Sequence, residues 1–157
     1  MERPFGRLAL SMTTEDDCPD DLARYTSGAS ATKLADMFQL DPPTQDWDIM
    51  VADHSRLDDF LSAYDRPEFD EDDRFALMEV IVASLDEGER RDVDIDDAWH
   101  RAATFLRRDW RLHAATLSYW ARGDDPDPDH QFAITPRIRE VWREARSELA
   151  RGRGVPT

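Results

Sequence analysis

The chain has 157 residues, 40% of them hydrophobic and 10% aromatic, with a formal net charge of −15 at pH 7. That much large apolar side chain supports a packed core and excludes wholesale disorder, while the length is too short for two comfortable domains. Apolar runs such as Val80 to Ala83 are far too short to span a bilayer, and the single cysteine, Cys18, excludes an internal disulfide and a cysteine-based zinc site.

The charge is unusual in kind as well as amount. There are 25 Asp against 10 Glu, and 19 Arg against one lysine, Lys33. An acidic surface repels nucleic acid and attracts basic partners, and at the extreme it imitates nucleic acid. Lysine depletion follows instead from a salt-adapted or GC-rich source, where an Asp-rich surface keeps a protein hydrated. Both readings argue against direct nucleic-acid binding. The charge is also uneven: residues 1–99 carry 27 acids and 9 bases (net −18), and residues 100–157 carry 8 acids and 11 bases (net +3). The C-terminal helices are therefore expected to sit against the acidic ones or to offer a basic face to a partner.

In chain order, residues 1–17 show no periodicity and read as a flexible tail, in which Met12 is a second candidate start. Leu8 to Leu10 run on into Glu15, Asp16 and Asp17 rather than a cleavage site, so no signal peptide is read and a cytoplasmic location is expected. A short helix is predicted from Pro19 to about Tyr25. A second follows from Ser30 as N-cap to about Phe38, stopped by Asp41-Pro42-Pro43. Trp47, Ile49 and Val51 alternate with Asp46, Asp48 and Met50, a period of two that predicts a short strand or, with no partner strand in the sequence, an extended arm over 47–51 packed on helices.

The helical signal then strengthens. Asp53 is read as N-cap for a helix presenting Leu57, Phe60, Leu61 and Tyr64, closed by Pro67. Asp70 caps the next, with acids in the first turn where the helix dipole favours them. Its apolar residues from Phe75 to Leu85 cover more than half the circumference, which marks a central helix, and Gly88 is read as its C-cap. Asp94 or Asp96 starts a helix carrying Trp99, Ala102, Ala103 and Leu106. Asp109 starts another with Leu112, Thr116, Tyr119 and Trp120, ended by Gly123. After the acidic loop 124–133, Thr135-Pro136 begins a last helix with Ile138, Val141, Trp142, Ala145 and Leu149 on one stripe. The expectation is an all-α, irregular bundle of about five substantial helices and one or two short N-terminal ones, forming one domain over 18–150 with a flexible tail over 151–157.

Candidate chemistry is sparse. Asp125, Asp127 and Asp129 stand at alternate positions, as in the start of a calcium loop, but His130 occupies the position that needs glycine and Pro136 the position that needs a bidentate glutamate. Asp92, Asp94 and Asp96 fail in the same way. No metal site and no cofactor are expected. Among His54, His100, His113 and His130 no two are four apart, so paired helical metal ligands are absent. Asp96–His100 and Asp109–His113 are i, i+4 pairs in which a carboxylate can orient an imidazole for acid–base work, or simply form helix-surface ion pairs. No nucleophile elbow, phosphate loop or dinucleotide fingerprint occurs. The stripe Trp99, Tyr119, Trp120 and Trp142 reads as core. Trp47 and Phe132, outside the strong helices and among acids, read as exposed partner-binding aromatics together with Asp125, Asp127 and Asp129.

These features point to a non-enzymatic acidic interaction protein (an adaptor, a regulator or an immunity-type antitoxin) that binds a basic protein partner and no membrane. The alternatives are a small helical enzyme or ligand binder built on His113 or His100 with nearby carboxylates, and a nucleic-acid mimic.

Overall fold

The computed structural model describes residues 18–122 and 125–152. The expectations for the tails over 1–17 and 153–157, and for Gly123 as a helix stop, fall outside them. The described residues form an all-α structure without strands. Its helices are α1 (Gly28–Phe38), α2 (Trp47–Met50), α3 (Leu57–Ala63), α4 (Glu71–Arg90), α5 (Asp96–Arg108), α6 (Ala114–Ala121) and α7 (Thr135–Gly152), with 3₁₀ turns at Asp20–Leu22, His54–Arg56 and Pro128–His130. No helix among the described residues is long and apolar enough to cross a membrane.

Helix α4 is central, as its broad apolar surface requires. Phe75 through Asp86 are all buried, and α1, α2, α3 and α5 pack around it. A capping box starts it: Asp73 N–H donates to Asp70 Oδ1 at 2.9 Å and Asp70 N–H to Asp73 Oδ2 at 3.1 Å. Asp73 also holds α1 in place, accepting from Ser30 Oγ at 2.8 Å and from Nζ of Lys33, the only lysine, at 2.7 Å. The last two helices, α6 and α7, pack against each other, and one core cluster runs from Ala31 to Ala145.

The uneven charge has a structural use. Arginines of the C-terminal part pair with acids of the N-terminal part: Arg101 with Asp58 (2.6 Å), Arg108 with Asp65 (2.7 Å), and Arg137 with both Glu89 and Asp96 (2.8 Å each).

Several local expectations are corrected. The helix read over 19–25 is only a 3₁₀ turn. Ser27, not Ser30, caps α1, because Ser30 lies in the first turn and its hydroxyl serves Asp73. Helix α1 ends in left-handed Gln39 (φ 59°), before the prolines are reached. The 47–51 segment is a helical turn rather than extended, since alternation over five residues also fits one turn of helix with Trp47 turned inward. Helix α4 runs through Gly88 to Arg90, and the chain reverses at left-handed Asp92 (φ 57°). Gly88 serves close approach: a Cβ there would stand 2.7 Å from Ile95 Cγ2 and 3.2 Å from His54 Cβ. Residues 109–113 form turns and α6 begins at Ala114. Thr135 Oγ1 accepts from Phe132 N–H (2.9 Å) and donates to the Trp120 carbonyl (2.7 Å), tying α7 to α6. Helix α7 includes Arg151 and Gly152, which the sequence assigns to the tail.

Candidate functional site

The two carboxylate–imidazole pairs suggested by spacing do not form. His100 is exposed, and its Nδ1 lies 2.8 Å from the Asp96 backbone carbonyl, while the Asp96 carboxylate accepts from Arg137. A guanidinium from across the bundle takes the carboxylate that the same helix's imidazole could have met.

Asp109 and His113 are linked through a third residue. Tyr64, which follows α3 and is buried, has its hydroxyl 2.8 Å from Asp109 Oδ2 and 2.6 Å from His113 Nε2. Burial alone would raise the Asp109 carboxyl, but the bonds from Arg108 and Tyr64 outweigh it and hold that group below its usual range. An ionised carboxylate only accepts, so the Tyr64 hydroxyl donates to Asp109 and accepts in turn from His113 Nε2–H. That tautomer leaves His113 Nδ1 as a buried acceptor with no hydrogen-bond partner among the described residues. Burial pushes the imidazole down to about 3, so it stays neutral at physiological pH. Burial and the Asp109 bond together push the Tyr64 phenol well up. At the outer end, Arg108 bridges Asp109 (2.8 Å) and Asp65 (2.7 Å) and lies over the Phe105 ring. His113 is wholly buried beside Phe75. The groove of ≈ 430 Å³ between α5 and α7 is lined by Arg107, Trp110, Val141 and Glu144 and does not include it. A neutral, wholly buried imidazole suits packing rather than proton transfer to a ligand.

The two aromatics read as exposed contact residues are not free on the surface. Trp47 is buried, and its indole N–H donates to the Asp41 carbonyl at 2.8 Å. Phe132 is half-buried against Trp120, with ring centroids 4.6 Å apart. Trp99, Tyr119, Trp120 and Trp142 are core, as their spacing implied. Asp125, Asp127 and Asp129 form successive Asx turns, with Asp125 Oδ1 accepting from Asp127 N–H and Asp127 Oδ1 from Asp129 N–H. His130 completes this loop: its Nδ1 is 2.7 Å from Asp125 and its Nε2 is 3.4 Å from Asp127. The Asp125 bond, with the negative field of both carboxylates, raises the His130 imidazole above its ordinary value.

Two arrangements have no sequence counterpart. With Trp47 turned inward, α2 turns Ile49 and Met50 outward, 39% and 59% exposed. They lie in a stretch, residues 34–55, that holds five Asp (36, 41, 46, 48 and 53) and no Arg or Lys. Asp36 and Asp41 are exposed and Asp46 half-exposed, whereas Asp48 is buried. The other arrangement joins Asp53, His54 and Glu87, whose ligand-type atoms all lie within 4.8 Å of one another. Glu87 Oε1 accepts from His54 N–H at 2.8 Å and lies 2.8 Å from His54 Nδ1. Burial would raise the Glu87 carboxyl, but the His54 N–H, the imidazole and Arg91 hold it below its usual range. Thirty-three positions separate His54 from Glu87, so no local spacing reveals the pair. Compared with family models, curated proteins and solved structures, the chain matches none.

Proposed function

We propose that this chain is a binding protein for a basic protein partner, and that it engages that partner through residues 36–53, with Ile49 and Met50 as the apolar contacts. The observation that carries this is the pairing of two exposed apolar side chains with a stretch of sequence, residues 34–55, that holds five Asp and no Arg or Lys; the Arg56 guanidinium that reaches it is held by the Phe38 carbonyl and ring. Charge complementarity of this kind speeds encounter and selects partners by sign, while desolvated apolar side chains at the centre supply most of the affinity. Methionine suits such a surface because its unbranched, polarizable chain adapts to the shape it meets. Trp47 has a supporting role: packed inward and bonded to Asp41, it sets which face of α2 turns outward. The partner chemistry that fits is a segment whose arginines or lysines flank an apolar side chain.

The test is a pull-down from source cells at their native ionic strength, with the retained protein identified, re-expressed and titrated against variants. A single basic protein should bind stoichiometrically, weaken by at least tenfold with I49S/M50S, weaken with added salt, and be indifferent to D125N/D127N/D129N. Binding that ignores I49S/M50S, or that falls equally with acid removal anywhere on the surface, would refute the proposal.

A further inference from the structure

We infer that Asp53, His54 and Glu87 form a binding site for one divalent transition-metal ion, with zinc the ion their donor set suits best. The site brings together the cap of a 3₁₀ turn and the side of the central helix α4. Three bonds fix the backbone there. Asp53 N–H donates to Ser84 Oγ (3.0 Å), Ser55 N–H to Asp53 Oδ1 (3.0 Å), and His54 N–H to Glu87 Oε1 (2.8 Å). Gly88 eases the approach of both neighbours, since a Cβ there would stand 2.7 Å from Ile95 Cγ2 and 3.2 Å from His54 Cβ.

The spacing fits an ion. Ligands about 2.0–2.2 Å from one cation, at angles near 90–110°, stand about 3–3.5 Å from each other. His54 Nδ1 and Glu87 Oε1 are 2.8 Å apart, and all three donor atoms lie within 4.8 Å of one another, so small side-chain rotations seat them round a single point. His54 and Glu87 are 27% and 19% exposed, sheltered enough to lose much of their hydration and open enough for an ion to enter.

The donor chemistry selects the metal. One imidazole nitrogen with two carboxylates is a zinc-type set, whereas magnesium and calcium call for oxygen throughout. Three protein ligands leave a further position for water. The ion would take the place of the direct contact between His54 Nδ1 and Glu87 Oε1. The loop at His130 offers no equivalent: its two ring nitrogens face different carboxylates, so no one point collects all three groups.

The experiment is calorimetric titration of the metal-stripped full chain with zinc chloride at pH 7, and separately with magnesium chloride. The expected result is one zinc per chain at micromolar affinity or tighter and at least a hundredfold weaker magnesium binding. Zinc at a hundredfold excess over Kd should raise Tm by about 5–10 °C. H54Q and E87Q should each lose at least tenfold in zinc affinity, and H130A should lose nothing. E87Q keeps an oxygen to accept from His54 N–H and should stay folded, so it carries the test even where H54Q unfolds. No zinc uptake by the wild-type chain, zinc affinity unchanged in E87Q, or loss in H130A equal to that in E87Q would each overturn the assignment.

Discussion

Replacing Tyr64 by phenylalanine removes one oxygen and tests the buried chain that runs from His113 to Asp65. The ring keeps its stacking on Phe105, with centroids 4.3 Å apart, so the apolar contribution is unchanged. The hydroxyl's two bonds, to Asp109 at 2.8 Å and His113 at 2.6 Å, are both lost. Asp109 retains Arg108 and some contact with solvent, so its share of the cost is small. His113 Nε2–H is left buried with no acceptor, and an orphaned buried donor costs about 1–3 kcal/mol. Adding a modest term for the charged acceptor gives a total of about 2–4 kcal/mol. For a chain of this size that corresponds to a fall in Tm of roughly 5–15 °C. Urea unfolding monitored by tryptophan fluorescence measures the loss, and the cycle Y64F, H113L and Y64F/H113L separates the coupling from the deletion of each group. If Y64F stays within about 0.5 kcal/mol of wild type, with no coupling to His113, the hydroxyl does not bridge the two groups and the assigned tautomer is wrong.

Two further outcomes follow from buried groups. The folded-state pKa of His113, about 3, lies below its ordinary value of 6.5. The stability it contributes is therefore fully present above pH 6.5 and is lost as pH falls toward 3, because the unfolded chain takes up the proton first. H113L should flatten the stability profile between pH 6.5 and about 5.5, above the range where the unfolded chain protonates the depressed carboxylates of Asp65, Asp73, Glu87, Asp109 and Asp125. A profile unchanged by H113L would show that the imidazole is not held neutral. G88A sets a helix-propensity gain of about 1 kcal/mol against overpacking of about 1–3 kcal/mol. The Cβ would meet Ile95 Cγ2 at 2.7 Å, so a net loss is expected in wild type but not in an I95A background, as read from urea midpoints.

The elements legible in the sequence were those whose cause is local. Helix α4 announces itself by its apolar surface from Phe75 to Leu85 and by Asp70 as N-cap with acids in the first turn, and the capping box of Asp70 with Asp73 bears that reading out. Trp99, Ala102, Ala103 and Leu106 recur at helical spacing, and α5 buries all four. The candidate sites were less legible. Asp96 and His100 have the spacing of a pair, yet spacing cannot show that Arg137, 41 positions away, takes the carboxylate.

What the sequence determined by itself was composition-level and periodic: an all-helical chain, its central helix, and a charge imbalance that lets arginines beyond residue 100 meet aspartates before it. Tertiary structure alone decided where Trp47 points, that Tyr64 joins Asp109 to His113 across 45 and 49 positions, and that His54 meets Glu87. The physical reason is that helix periodicity acts over three or four residues, within reach of one side chain. Burial, competition for a carboxylate and the convergence of polar atoms depend on which helices pack together, and that is settled by the whole core at once.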